Sequence, residues 1–556
     1  MPAVKQSHAQ GIVLVDPTFV HVDSVKKIVL INAPLHLLNA ASPARDSTRI
    51  LAVGSRQYKL ARAVAALSAA AMYKATSQAA TYTVYVTQVP VMKFTTRYQI
   101  VDTPSVYAHF VLLDSTGVLA QSGTGIEFRG AYSQTFPKKS YELSLWADTL
   151  GATDNDLPLL GMRDDNKWNL QALYNDQLRL RMKVANELWQ EIDQVYYQAK
   201  EPDAKNGIDM AYTEVFINDS YQGIYALTER IDRKQLKLKK YANNTIMGEL
   251  YKGTTADVAD AFASAPAFNN NSLSWGGFEY KEPSEQTDWT NLHDFVDFVA
   301  TSPDSVFYAQ YQSRLDLANA VDYYLFLNLM RATDNTGKNI YVAKYKPGEP
   351  YYYAPWDLDG VLGNDWSGTN VNITNDLLTN GLYTRLLNDY SAAGFREALV
   401  KRWASLRTSI ITEAHIKAEI DANSAYLLRS NVYEREHQAW PEYAYDAAQL
   451  TYPDNWLVAR IAYLDGIFSA ATMGTAGATE AEAMQVFPNP ASGYLSVVFK
   501  AGPCQLSIQD MQGRQVLQTT LLETYTTLDI SALPKGLYLA HLKSPTATVT
   551  KKLVVN

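Results

Sequence analysis

Apolar and polar residues alternate over 82–88 and 106–113, which predicts strands. They alternate again over 123–145, where Tyr141, Leu143 and Leu145 share one face beyond Pro137. The spacing changes at Val184, Ala185, Leu188, Trp189 and Ile192, predicting a helix over 178–192. An alanine-rich run at 60–72 also reads as helical. Segments 212–217 and 221–228 flank Asn218-Asp219-Ser220 and read as a hairpin by its turn chemistry. A long apolar helix over 315–331 leads to a second hairpin, 340–345 with 350–354, around Lys346-Pro347-Gly348-Glu349. Residues 382–468 read as largely helical, with breaks at Pro441 and Pro453. Residues 471–485 are small and polar, as in a linker, so a cut near Thr472 is expected to leave the preceding domain's unfolding midpoint unchanged. Short strands then recur from 486 with turns at Pro488-Asn489-Pro490, Gln512-Gly513 and Pro534-Lys535-Gly536, as in a small β-sandwich. The fold class is α+β, divided into an N-terminal lead-in region (1–79), a central domain (80–470), a linker (471–485) and a C-terminal domain (486–556).

At 556 residues the chain is long enough for two to four domains. A net charge of −8 argues against a nucleic-acid surface, so no nucleic-acid partner is expected. No apolar run is long enough to span a membrane. The first residues lack the charged and apolar regions of a signal peptide, and a leader removed upstream is expected. Cys504 is the single cysteine, so cysteine usage does not report the redox compartment.

Candidate chemistry concentrates between Thr333 and Gly360. Asp334 and Asn339 stand in the order D-x-x-x-x-N before the second predicted hairpin, and Asp357-Leu358-Asp359-Gly360 closes it. Phosphate transfer uses such groups: an Asp and an Asn in a catalytic loop, and a second Asp followed shortly by Gly to hold Mg²⁺. Hard oxygen ligands suit that ion. A surface hairpin capped by Asx turns is the alternative for the Asp/Asn spacing. The eight histidines form no H-E-x-x-H, and neither a G-x-S-x-G elbow nor a Walker lysine loop occurs.

Four blocks resemble the CotH family, the spore coat protein H-like atypical protein kinases. They are FRGAYSQTFPKKSYELSL, LPLLGMRDDNKWNLQALYNDQLRLRMKVANELWQE, YTEVFINDSYQGIYALTERID and NTGKNIYVAKYKPGEPYYYAPWDLDG. The resemblance covers about 80–470 and implies a protein-kinase-like two-lobed catalytic region. It would bind ATP with Mg or Mn and phosphorylate Ser/Thr of secreted or surface proteins. Residues 486–556 resemble the C-terminal sorting domain of the type IX secretion system of Bacteroidetes, through VFPNPASGYLSV, IQDMQGRQV, LDISALPKGLYLAHL and KKLVV. That implies handling by the type IX machinery and a secreted or cell-surface location.

Carried onto this sequence, the resemblance makes Asp334 the residue that orients or deprotonates the acceptor hydroxyl, and Asn339, Asp357 and Asp359 metal ligands. Either Lys138 or Lys139 is the phosphate lysine. Lys139 is preferred because it shares parity with Tyr141 and Leu143, although a bulge at Pro137 would reverse that choice. Glu187 is its expected helix partner, and Glu229 stands where the resemblance places the adenine hinge. Two departures from the kinase pattern stand out. Ala332-Thr333 replaces His-Arg before Asp334, and Leu358-Asp359-Gly360 replaces the compact Asp-Phe-Gly. Because ATP is scarce outside the cell, a non-catalytic surface adhesion protein on the same scaffold is the alternative.

Overall fold

The computed structural model describes residues 4–5, 11–40, 47–473, 484–499, 502–523, 525–545 and 547–556, and most of the expected linker lies outside them. Helices and sheets are mixed, with a sheet domain at the C-terminus. Backbone packing divides the chain into two units. One comprises 1–186, 208–230 and 418–449; the other comprises 187–207, 231–417 and 450–556.

The first unit opens with an eight-stranded mixed sheet ending in the strand Ala80–Val86, which pairs with both Met72–Ser77 and Ile28–Ile31. The sheet therefore runs past the boundary expected at 79/80. The helix expected at 60–72 is absent. Arg56–Val64 is a strand, with Tyr58 and Leu60 buried and Lys59 and Ala61 exposed between them. Beyond it, Asn39 clamps Leu67 in a two-way hydrogen bond, N–H to Oδ1 at 2.7 Å and Nδ2 to carbonyl at 3.0 Å. Alanine's helix propensity is a weak prior, and burial of alternate residues overrides it.

His21, on the strand Val20–Asp23, is buried with its ring 5.5 Å from that of Phe216, and neither ring nitrogen has a partner. Burial, and secondarily the charge of Lys93, lower its pKa from 6.5 to about 3. A lowered value means that the native state binds this proton less readily than the unfolded chain. Stability is then whole above pH 6.5 and is lost as pH falls towards 3. We expect His21→Phe to gain about 2 to 3 kcal/mol on wild type between pH 7 and pH 4.5, read from urea unfolding at the two pH values. An equal difference at both would contradict this account.

Seven strands next close a barrel in the order Val106–Asp114, Gly117–Arg129, Ser140–Trp146, Lys167–Gln171, Ser220–Thr228, Met210–Ile217 and Val91–Thr95. Phe110, Ile126, Tyr141, Leu143, Leu145, Trp168 and Leu227 fill it. The Asn218-Asp219 turn has φ of +48° and +60°, the left-handed pair that a tight hairpin requires.

In the second unit, Glu249–Gly253, Ile340–Lys344 and Tyr351–Pro355 lie side by side in a five-stranded sheet. The helix Leu317–Met330 is buried on every face from Asn319 onward and delivers the chain to Thr333. It stops at Arg331, whose left-handed backbone (φ +50°) is held by a two-pronged ion pair to Asp376 at 2.7–3.0 Å. Pro441 follows a helix end as expected, but Pro453 lies inside the helix Ala448–Ile467. Only its second turn is affected, so one backbone bond is lost near an end.

Asp193 is buried in this unit, and desolvation first, then the charge of Asp322, raises its pKa well above the usual carboxylate value against hydrogen bonds from Asn206 and Asn319. A raised value favours the protonated native state, so stability falls as pH rises from the ordinary carboxylate range through the raised value. Asp193→Asn is expected to raise the melting temperature by a few degrees at pH 8, and by less at pH 4.

The C-terminal seven strands surround a core that includes Val497, Leu506, Ile508, Ala540 and Leu553. The strand Gln485–Ser492 changes partner midway, from Tyr494–Val498 to Thr548–Val555. Tyr463 packs its ring 5.8 Å from that of Phe487, and its hydroxyl bonds that of Tyr525. The linker thus does not leave the preceding helix uncoupled from these strands, contrary to the expectation for a cut near Thr472.

Candidate functional site

The hairpin Ile340–Lys344/Tyr351–Pro355 has an open end where Ile340 pairs with Pro355 and Trp356 N donates to Asn339 O at 3.0 Å. This sets Asn339 and Asp357 at adjacent corners of that end. Both have left-handed backbones, with φ of +55° each, a region that Asn and Asp enter more readily than other non-glycine residues. Asn339 is buried and Asp357 half-buried. Among the described residues, no hydrogen bond or ion pair engages the Asp357 carboxylate or the Asn339 side-chain amide. Two hard-oxygen groups held without partners at one hairpin end fit a divalent cation.

The loop around them is built to keep that geometry. Asn335 is buried in the turn Thr333–Asn335, and its Nδ2 donates to Asn339 O at 2.8 Å and Trp356 O at 2.7 Å, stapling both ends of the hairpin. Asn339 N donates to Gly253 O at 3.0 Å. A Cβ on Gly253 would collide with Gly337 O, so this close approach of two backbones needs glycine. Asp260 is fully buried, and its carboxylate accepts backbone N–H bonds from Thr255 and Ala256 at 2.8 Å and from Asp257 at 3.1 Å. It thereby folds the neighbouring loop. Asp334 is half-buried and lies 2.8 Å from Lys338 Nζ. Asp359 is half-buried in the turn after Asp357 and engages in other contacts. Asn335, Lys338 and Asp260 escaped the sequence reading. Only Lys338 left a signal there, its spacing of four from Asp334.

In the first unit the lysine pair is arranged differently from expectation. Lys138, with a side chain 0% exposed, places Nζ 2.5 Å from Oε1 of Glu436, itself 0% exposed, and 2.5 Å from Ile224 O. Arg179 Nε reaches the same Glu436 oxygen at 3.1 Å, and Ile224 N donates to the other at 2.9 Å. Burial lowers the Lys138 ammonium from 10.5 to about 8, although Glu436 opposes the shift. Burial alone would raise Glu436. The charges of Lys138 and Arg179 and the Ile224 N–H outweigh it and hold the carboxyl below its usual range.

Lys139 instead donates to Gln134 O at 2.7 Å and Phe136 O at 2.5 Å. Its predicted orientation fails because the face shared by Tyr141 and Leu143 is the filled interior of a closed barrel. The strand starts only at Ser140, so its parity does not bind the residues after Pro137. The helix carboxylate that meets Lys138 is Glu436, on Val432–Ala439. Glu187 lies half-buried on Arg181–Ile192 and has other contacts. Glu229 is fully buried and accepts from Arg163 N at 3.0 Å and Asp209 N at 2.9 Å, so both of its oxygens tie backbone segments together. Gly125 packs beneath Trp146, where a Cβ would overlap the indole. This accounts for that glycine without a phosphate.

The family model of the CotH kinase protein matches residues 126–464, more than half of the chain, and the chain belongs to that family. The model of the secretion system C-terminal sorting domain matches residues 485–556, which marks a secreted or cell-surface protein. No helix among the described residues is long and apolar enough to cross a membrane. No curated protein matches the chain. Among solved structures, one that matches is PorZ, a bacterial surface component of the type-IX secretion system of Porphyromonas gingivalis. It is 23% identical over 15% of this chain and 13% of that chain, with a TM-score of 0.13. The chain thus spans a small fraction of that protein's length.

Proposed function

We propose that this protein is an exported CotH-like kinase that transfers phosphate from ATP to Ser/Thr of secreted or surface proteins with Mg or Mn. The kinase-like two-lobed organisation is part of the proposal, as is handling of the C-terminal domain by the type IX machinery. The carrying observation is the pair of unpartnered side chains, Asn339 and Asp357, fixed in left-handed backbone at one hairpin end. These two would hold the divalent ion, with Asp359 beside them, and the bound ion would supply charge neutralisation at the phosphates. Asp334 would orient the acceptor hydroxyl, and Lys338 would hold its carboxylate in place. Lys138, held by Glu436, replaces Lys139 as the candidate phosphate lysine.

A second reading is a non-catalytic surface interaction protein on this scaffold. It is favoured by the complete burial of Lys138 and by the capture of Lys139 by two carbonyls, which leave neither ammonium open to a phosphate. Incubation with γ-labelled ATP and Mn²⁺ or Mg²⁺, with the chain itself and a generic acidic protein as acceptors, separates the two. Metal-dependent label on Ser or Thr is expected. Complete absence of label with both metals would favour the second reading.

A further inference from the structure

The residues matched by the kinase family begin at 126, yet the helix that carries Glu436 is gripped by the sheet formed before residue 87. Val432–Ala439 has only eight residues, and Asn431 at its start gives no side-chain cap. Such a helix has little stability of its own and takes its position from what it packs on. On one side Glu436 meets Lys138, Arg179 and Ile224 N. The N-terminal sheet occupies another side. Tyr85 OH donates to Gln438 Oε1 at 2.8 Å, and Gln438 Nε2 donates to Lys26 O at 3.3 Å. The Arg435 guanidinium lies 5.4 Å from the centre of the Tyr85 ring, and Lys26 Nζ lies 5.6 Å from that of Trp440. Ile28, Leu30 and Tyr85 share an apolar cluster with Ala439 and the partly buried Trp440.

The same sheet also holds the strand that faces Glu436. Asp23 Oδ2 accepts from Tyr221 N at 2.9 Å, and Lys26 Nζ donates to Tyr221 O at 2.5 Å. Two residues further along this strand, Gly223 has φ of +89° and leaves room for the Glu436 carboxylate, where a Cβ would overlap it. Both walls around Glu436 therefore rest on the N-terminal sheet.

We propose that residues 11–40 and 47–86 are a built-in positioning module for the Lys138–Glu436 pair, with Lys26 and Tyr85 as positioning residues that set the height and rotation of the helix Val432–Ala439. Its bearing on phosphate transfer rests on the kinase reading; the coupling between the sheet and the ion pair does not. The helix is also anchored to the barrel by the buried Arg435–Glu214 pair, so loosening the sheet eases its local opening without releasing it, and Lys138 then meets solvent more often.

The test uses full-length Tyr85→Leu and, from the helix side, Gln438→Ala, with Tyr85→Phe as the variant that keeps the ring. Pulse acetylation, read by peptide mass spectrometry, follows Lys138 against the exposed Lys240 of the same molecule. Lys138 is fully buried among Glu436, Arg179, Glu214 and the Tyr225 ring, so it reacts only through local opening. In Tyr85→Leu and Gln438→Ala its rate is expected to rise at least about tenfold as local opening becomes easier. Amide exchange over 432–439 is expected to quicken with it. Tyr85→Phe should show a smaller rise. If Tyr85→Leu fails to fold, Gln438→Ala, at a half-buried position, decides alone. Wild-type protection of Lys138 and of 432–439 in the folded variants overturns the proposal. Increased Lys138 reactivity, with no phosphate transfer by any chain including wild type, supports the coupling and rejects the kinase reading.

Discussion

Asp357→Asn is expected to reduce phosphate transfer by at least about 100-fold while leaving stability within about 1 kcal/mol of wild type. The substitution removes a charge and keeps the shape. Asparagine also tolerates the left-handed backbone at this position, φ +55°, where alanine would add strain of its own. Because no described group pairs with the Asp357 carboxylate, its loss leaves no buried partner behind, and the fold has little to lose. Asn339→Gly applies the same logic at the facing corner, since glycine accepts that conformation freely. Labelled-phosphate transfer and urea unfolding, run on the same preparations, check both halves. A variant that unfolds early would show that these side chains hold the loop and do not serve chemistry.

Glu436→Ala should be among the most destabilising single changes in the first unit, at about 3 to 5 kcal/mol. Glu436 is the shared acceptor for two buried cations, Lys138 and Arg179, and for Ile224 N. Removing it leaves both charges desolvated and uncompensated. Lys138→Met should be milder, because Glu436 keeps Arg179 and the backbone amide, and a methionine fills much of the lysine stem's space. Denaturant midpoints for the two variants order them. A smaller loss for Glu436→Ala than for Lys138→Met would contradict the arrangement of charges described here.

Elements that rest on local chemistry were legible in the sequence. Asn218-Asp219 forces a tight turn through two positive φ angles, and Lys346-Pro347-Gly348-Glu349 turns the hairpin that carries Asn339 and Asp357. The helix Leu317–Met330 was also legible, within two residues at each end. What failed depends on distant partners. Glu436 lies 298 residues from Lys138, and no spacing in one sequence can report that pair. Lys139 was preferred on a parity that holds only within the strand, and that parity points into a filled barrel. The alanine run at 60–72 carried helix propensity, but the buried alternation of Tyr58 and Leu60 and the Asn39 clamp decided its form. Asn335 and Asp260, hidden in loops, bind backbone groups, the first as donor and the second as acceptor, and such partners leave no trace in residue type.

The central claim is that Asn339 and Asp357 form a divalent-cation site that serves a nucleotide. Calorimetric titration of ATP into the full-length chain, with Mn²⁺ and with chelator, tests it most directly. The account predicts saturable binding in Mn²⁺, its loss in chelator, and a drop of at least about tenfold in affinity for Asp357→Asn with the fold intact. Equal binding with and without metal, unchanged binding by Asp357→Asn, or no binding by wild type in Mn²⁺ would contradict it.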